Sequence, residues 1–260
     1  MRGLFVVKLG GRILEEPERR GAALDAIAAR YRAGDRFVVV HGGGRQVDAA
    51  LERAGIPKRT HEGLRVTDEA TLDVVVSVLA GLVNKRLVSD LIARDVDAAG
   101  ISGADGGTLI AEAHPPTQGV DLGRVGRVVA CRPRVILAIL SAGALPVVAS
   151  IAATAAGELL NVNADAAASA LAPALGARRL LFLTDVEGVF DADGRVVRRI
   201  DAAGLSRLLA SDAVRGGMRP KLHASLEAIA RGVGEVVIAG PRRHVAALAT
   251  GKGGTRVGAA

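Results

Sequence analysis

Two stretches decide the fold: Phe5-Val6-Val7-Lys8-Leu9-Gly10-Gly11 and Phe37-Val38-Val39-Val40-His41-Gly42-Gly43-Gly44. Each is a short apolar run, rich in valine, that stops in glycines. Such a run reads as a strand buried on both faces of a parallel sheet. Glycines at its carboxyl end let the backbone turn into a helix and approach an anion closely, and the helix N-terminus favours negative charge. Two such ends predict a site for a phosphate, or for a phosphate and a carboxylate. Lys8 places a positive charge inside the first block.

Working outward, short apolar runs alternate with longer helical patterns, the signature of an α/β fold. Strands are expected at 98–102, 108–113, 125–131, 145–149, 179–183, 235–238 and 255–257. Helices are expected at 18–31, 46–54, 135–140, 164–175, 203–210 and 219–231. Thr67 or Asp68 can cap a long helix over 68–93, where Leu72, Val75, Val76, Leu79, Val83, Leu87 and Leu91 recur at helical spacing. Residues 58–66 read as a hairpin or loop, and Asp191-Ala192-Asp193-Gly194 as a hairpin turn. Residues 151–157 are small and irregular. They set a soft boundary between an N-terminal lobe, 1–160, and a C-terminal lobe, 161–260, of one continuous fold.

The 260 residues are 50% hydrophobic, enough for one large α/β domain or two lobes with sizeable cores. Aromatics are only 2%, so Val, Leu, Ile and Ala must build those cores. The single cysteine, Cys131, excludes an internal disulfide and a cysteine-based zinc site, and reads as a small buried hydrophobe. No apolar run reaches the roughly 18 residues of a membrane span. The chain opens on a strand without the regions of a signal peptide, so a cytoplasmic protein is expected. The net charge is +7, but the arginines are scattered and no basic-aromatic platform is present. Small anionic substrates, rather than nucleic acid or a membrane, are the expected partners.

The common fingerprints are missing: no G-x-x-x-x-G-K-[ST], no G-x-G-x-x-G after a strand, no H-E-x-x-H and no G-x-S-x-G. Six blocks stand out instead. They are Lys8-Leu9-Gly10-Gly11, His41-Gly42-Gly43-Gly44, Gly63-Leu64-Arg65-Val66-Thr67-Asp68, Asn161-Val162-Asn163-Ala164-Asp165, Leu183-Thr184-Asp185-Val186-Glu187-Gly188-Val189 and Gly216-Gly217-Met218-Arg219-Pro220-Lys221. Gly100-Ile101-Ser102-Gly103-Ala104-Asp105-Gly106-Gly107 is a further segment of the same kind. In this order and spacing, from Lys8 to Thr255, they resemble the amino-acid kinase family.

The resemblance implies an open, mainly parallel sheet sandwiched between helical layers. The N-terminal lobe would bind the amino acid and form the dimer, and the C-terminal lobe would bind ATP. The implied reaction is phosphorylation of a carboxylate by ATP, with Mg²⁺ arriving on the nucleotide and no dedicated metal ligands on the chain. The Asn-Val-Asn-Ala-Asp and Gly-Leu-Arg-Val-Thr-Asp blocks point to the members that convert N-acetyl-L-glutamate to its γ-phosphate in arginine synthesis. An alternative is the kinase of lysine synthesis that acts on a carrier-protein-bound aminoadipate. Gly81-Leu82-Val83-Asn84-Lys85-Arg86-Leu87 is similar to it, and a basic surface suits an acidic carrier. A kinase for another N-acylglutamate is a third option.

By the same resemblance Lys8 and Lys221 supply positive charge along the transfer path, and Asp165 holds both. All three are present, which argues against a non-catalytic sensor on this fold. Gly10, Gly11, Gly43 and Gly44 present backbone N–H groups to the phosphoryl and the attacking carboxylate. Arg65 clamps the substrate α-carboxylate. Asn161, and less directly Asn163, bind the acceptor. Thr184, Asp185, Val186, Gly188 and Arg215 line the nucleotide side, Arg215 within the stretch 213–215. Family members inhibited by arginine carry a helix before the first strand. Here Met1-Arg2-Gly3 precede it, so an arginine-insensitive homodimer held by the long helix is expected.

Overall fold

The computed structural model describes residues 3–191, 193–210, 218–240, 244–250 and 253–258. The first glycine-ended run forms β1 (Leu4–Leu9) and the second β2 (Arg36–His41). Between them lie a short α1 (Arg12–Glu15) and α2 (Pro17–Arg32), whose proline sits in the first turn where no helical N–H is needed. α3 (Gly44–Arg53) starts directly on the second glycine block. The 58–66 segment is a hairpin of β3 (Thr60–His61) and β4 (Leu64–Arg65).

The long helix is present but not uniform. Asp68 caps it by accepting the Thr71 N–H. It runs as α4 (Glu69–Val76), a π-helical segment (Ser77–Val83) and α5 (Asn84–Ile92). Apolar residues fill most positions from Leu72 to Val83. That stripe is wide enough to hide an inserted residue from a reading of helical spacing.

β5 (Ala98–Ser102), β6 (Leu109–Ala113), β7 (Val125–Cys131), α6 (Arg134–Ser141) and β8 (Leu145–Ala149) follow. The stretch expected to be irregular contains β9 (Ile151–Ala153), and β10 (Leu159–Val162) comes next. The expected lobe boundary at residue 160 therefore falls inside a strand. Ile151, Ala152 and Ala153 are all buried, and packing there overrides the weak strand preference of alanine. The chain continues through α7 (Ala164–Ala174), β11 (Arg179–Leu183), β12 (Arg199–Ile200) and α8 (Ala202–Ala210). It ends with α9 (Met218–Ala230), β13 (Glu235–Ala239), α10 (His244–Thr250) and β14 (Thr255–Gly258).

Eight strands form one open sheet in the order β12-β14-β13-β11-β1-β2-β8-β5. Every neighbouring pair is parallel except β13 with β14, as the expected architecture requires. β6, β7, β9 and β10 leave that sheet and close into a small barrel. Alternation along β1 divides the core. Phe5, Val7 and Leu9 pack with α2, α3, the long helix and α10. Leu4 and Val6 pack with α6 to α9 and the barrel. These side chains are almost fully buried, each worth about 2 kcal/mol relative to exposure. Among the described residues no helix is long and apolar enough to cross a membrane.

Candidate active site

The alternation that buries Leu4 and Val6 also aims Lys8. It is the next residue on that face of β1 and lies at the carboxyl edge of the sheet, where α7 begins. Asp165 is in the first turn of α7, and Lys221 is in the first turn of α9. Lys8 Nζ lies 2.9 Å from Asp165 Oδ1, and Lys221 Nζ lies 2.6 Å from Asp165 Oδ2. One carboxylate thus bridges two ammonium groups.

The local sequence explains the convergence. Asn163 caps α7, its Oδ1 accepting the N–H groups of Asp165 and Ala166. Ala167, Ala168, Ala170 and Ala172 are buried, and their small size lets α9 approach. Ser169 Oγ donates to the Ala224 carbonyl at 2.5 Å and locks the two helices. Lys221 Nζ also stands 5.4 Å from the centroid of the Phe182 ring.

Burial alone would raise the Asp165 pKa, but Lys8 and Lys221 outweigh it and bring it down to about 2. Burial pulls Lys221 below the ordinary lysine value; Asp165 opposes that shift and Lys8 adds to it. The trio carries one net positive charge in a place shielded from water. Such an arrangement attracts an anion.

The trio opens onto a cleft of about 1280 Å³. Gly10, Gly11, Thr184, Asp185 and Val186 line it, as expected for the nucleotide side. A side-chain carbon at Gly10 would strike the Lys8 ammonium, and Gly11 has φ +53°, so both positions favour glycine. Thr184 Oγ1 donates to Asp185 Oδ1 at 3.0 Å. Gly188 is not among the lining residues. It has φ +152°, and a Cβ there would come within 2.8 Å of Thr255 Oγ1 and Val196 Cγ1, so packing accounts for this glycine. Arg215, with 213–214, lies outside the described residues.

A second polar cluster sits beside the His41-Gly42-Gly43-Gly44 loop. Arg65 forms an ion pair with Asp48 and donates to the Gly44 carbonyl at 3.3 Å. Among the described residues its buried Nη1 has no hydrogen-bond partner. Asn161 Nδ2 donates to Thr67 Oγ1 at 3.2 Å, and Thr67 Oγ1 donates to the Arg65 carbonyl at 2.7 Å. The structure therefore joins Arg65, Asn161 and Gly44, with Gly43 adjoining. Asn163 stands apart from this chain, with its side-chain oxygen occupied in capping α7, although it also lines the cleft.

Sequence reasoning missed Asp48 and Thr67. Asp48 lies one helical turn after Gly44, which was the available signal. Burial pushes the Asp48 pKa up, and the hydrogen bonds and charges of Lys58 and Arg65 outweigh it, leaving the group below the usual carboxylate value. His114, Arg127 and His223 also line the cleft, and no motif marked them. Cys131 is half-buried, and burial pushes its thiol up to about 11, in keeping with an unreactive side chain.

The sequence model of the amino acid kinase family matches residues 3–240. The chain is 46% identical over 254 residues to the acetylglutamate kinase of Rubrobacter xylanophilus, covering 97% of this chain and 96% of that protein. It is 41% identical over 243 residues to the acetylglutamate kinase of Oleidesulfovibrio alaskensis, covering 90% of this chain and 82% of that one. The crystal structure of smu.665 from Streptococcus mutans UA159 superposes with a TM-score of 0.86 at 29% identity, over 100% of both chains. A match across most of the length, on a fold that brings Lys8 of β1 and Lys221 of α9 onto one carboxylate, leads to one assignment: the chain belongs to the amino acid kinase family.

Proposed function

We propose that this chain transfers the γ-phosphoryl group of ATP to the γ-carboxylate of N-acetyl-L-glutamate. The product is N-acetyl-L-glutamyl 5-phosphate, an intermediate of arginine biosynthesis. The observation that carries this reading is the 46% identity, over 97% of the chain, to an acetylglutamate kinase.

The acceptor is ionised at neutral pH, so no general base is needed. A carboxylate oxygen attacks the γ-phosphorus, the bond to the β–γ bridging oxygen breaks, and ADP leaves with the electron pair. Bringing a carboxylate to a triphosphate sets like charges against each other, so the chain must supply counter-charge and alignment. Lys8 serves the γ-phosphoryl and Lys221 the leaving side. Asp165 fixes their separation by binding each through a different oxygen. Gly10 and Gly11 approach the phosphates, while Gly43 and Gly44 serve the acceptor. The unpaired Nη1 of Arg65 supports its role as the clamp on the α-carboxylate, with Asn161 beside it. Asn163 contributes mainly by holding the start of α7. Thr184, Asp185 and Val186 line the nucleotide side.

Among the described residues no three His, Cys, Asp or Glu side chains converge as a metal cage. Mg²⁺ would arrive with ATP and take few ligands from the chain, supplying counter-charge to the phosphates. In this reading residues 1–160 form the acceptor lobe and 161–260 the nucleotide lobe of one continuous fold. Leu82 and Ile92 are exposed apolar residues on the long helix, 40% and 57% accessible, and support a homodimer through that helix. The setting is the cytoplasm.

The test is ATP turnover with N-acetyl-L-glutamate, N-succinylglutamate, N-acetyl-aminoadipate, free glutamate and aspartate side by side. N-acetyl-L-glutamate should give the highest kcat/KM. Preference for a free amino acid would refute the assignment.

A further inference from the structure

His41 and Asn84 form a buried polar pair that the phosphoryl-transfer chemistry does not use. Both are fully buried. His41 follows Phe37 and Val39 on the face of β2 turned toward the long helix. Asn84 is the first residue after the π-helical segment. Its Nδ2 lies 3.1 Å from His41 Nε2, 3.1 Å from the Ile101 carbonyl and 2.9 Å from the Val147 carbonyl. One amide thus ties together β2, β5 and β8. Lys85 Nζ donates to its Oδ1 at 3.2 Å.

These partners fix the protonation of His41. Two carbonyls face the Asn84 amide atom, so that atom must be the nitrogen, a donor. An amide nitrogen cannot accept, so its two hydrogens are shared among the two carbonyls and an unprotonated His41 Nε2, and the ring proton sits on Nδ1. Nδ1 lies 2.9 Å from the Gly42 carbonyl and donates to it. A charged ring would aim an Nε2–H at the Asn84 amino group. Consistently, burial lowers the His41 pKa to about 4, against the raising effect of its hydrogen bond to the Gly42 carbonyl and with a lowering contribution from Lys85.

Holding the Gly42 carbonyl has a direct consequence. Across a trans peptide the following N–H points the opposite way, so the Gly43 N–H is turned away from the ring. Gly43 is buried, yet among the described residues its N–H has no acceptor. From beneath, Leu79 and Val83 of the π segment hold the same glycine: a Cβ there would lie 2.9 Å from Leu79 Cδ2 and 3.2 Å from Val83 Cγ2. Single-turn π distortions recur at functional sites. Here the distortion sets Asn84 and both packing residues against one loop.

We infer that His41 and Asn84 are positioning residues, which through the Gly42 carbonyl aim the Gly43 N–H at the acceptor carboxylate during transfer. This rests on the proposed function and adds a pair of residues that touch neither substrate. Two replacements separate the contacts. His41→Asn keeps a donor near the place of Nδ1 and can still bond the Gly42 carbonyl. His41→Gln reaches the Asn84 side and loses that bond. Misplacement of a reacting group by about 1 Å costs up to roughly 10²-fold. By that scale kcat should fall about tenfold or more in His41→Gln and stay within about threefold in His41→Asn. The KM for ATP should be unchanged in both, and the loss of thermal stability should be similar.

The wild-type protein supplies an independent measurement. Long-range ¹⁵N–¹H spectra, assigned with replacements of the other four histidines, should show His41 neutral and protonated on Nδ1 at pH 7. Equal kcat losses in the two variants, an unaffected His41→Gln, or a proton on Nε2 would overturn the inference. A wild-type enzyme inactive toward N-acetyl-L-glutamate would count against the function alone, and the ring proton would still decide the pairing.

Discussion

Asp165 is shared by two lysines, and its neighbours determine what each replacement should do. Lys8→Ala or Lys221→Ala removes charge that matters most as the phosphoryl moves. The kcat should drop roughly 10²–10³-fold, with much smaller changes in substrate affinity. Asp165→Ala leaves two adjacent buried ammonium groups without a counter-charge. It should cost about 3–5 kcal/mol of stability, read from urea unfolding. Arg65→Ala should raise the KM for the amino acid most and leave that for ATP nearly unchanged; equal losses would move Arg65 to the nucleotide or to the fold. Acid stability follows from the buried groups. The folded His41 pKa, about 4, lies below its ordinary 6.5. Its contribution of about 3 kcal/mol is complete above pH 6.5 and is lost as pH falls toward 4. The Asp165 contribution is lost lower, between about 4 and 2. Unfolding midpoints against pH should show both steps, and His41→Asn should remove the upper one. Lys8 was legible as a charge inside an apolar strand, whereas Lys221 and Asp165 were identified through the family resemblance of their blocks. Asp48 and Thr67 were not, because polar residues near a helix start or a turn look like ordinary caps.

Elements carry a different lesson. Strands ending in glycine were readable because burial on both faces leaves an unbroken apolar run. The small barrel was not. β9 and β10 are only three and four residues long, β9 is mostly alanine, and pairing with each other and with β6 and β7 makes them strands. The π segment hid inside an apolar stripe too wide to show a change of period. One element-level contact links the barrel to the acceptor cluster. The Thr67 N–H donates to the Leu122 carbonyl at 3.0 Å, and the Arg124 N–H donates to the Thr67 carbonyl at 2.6 Å. Gly123, at φ +64°, sits between them, and a Cβ there would come within 2.4 Å of the Thr67 carbonyl oxygen. Gly123→Ala should therefore destabilise the fold by about 2 kcal/mol, through backbone strain and the clash. It should also raise the amino-acid KM by displacing Thr67 and Arg65. An unchanged KM with lowered stability would separate this loop from the acceptor site.

At the scale of the molecule, one continuous sheet serves both halves of the site. β1 lies at its centre, between β11 and β2. Lys8 at the end of β1 therefore stands between the nucleotide-side residues after β11 and the glycine loop after β2. The central claim is that phosphoryl transfer to a carboxylate occurs at this junction. Acyl phosphates react with hydroxylamine to give hydroxamates, which makes the product directly measurable. With ATP, Mg²⁺ and N-acetyl-L-glutamate, the wild-type protein should form the hydroxamate in equal amount to ADP. Lys8→Ala should still bind ATP and form it at least about 10²-fold more slowly. ADP released without hydroxamate, or an undiminished rate in Lys8→Ala, would contradict the account.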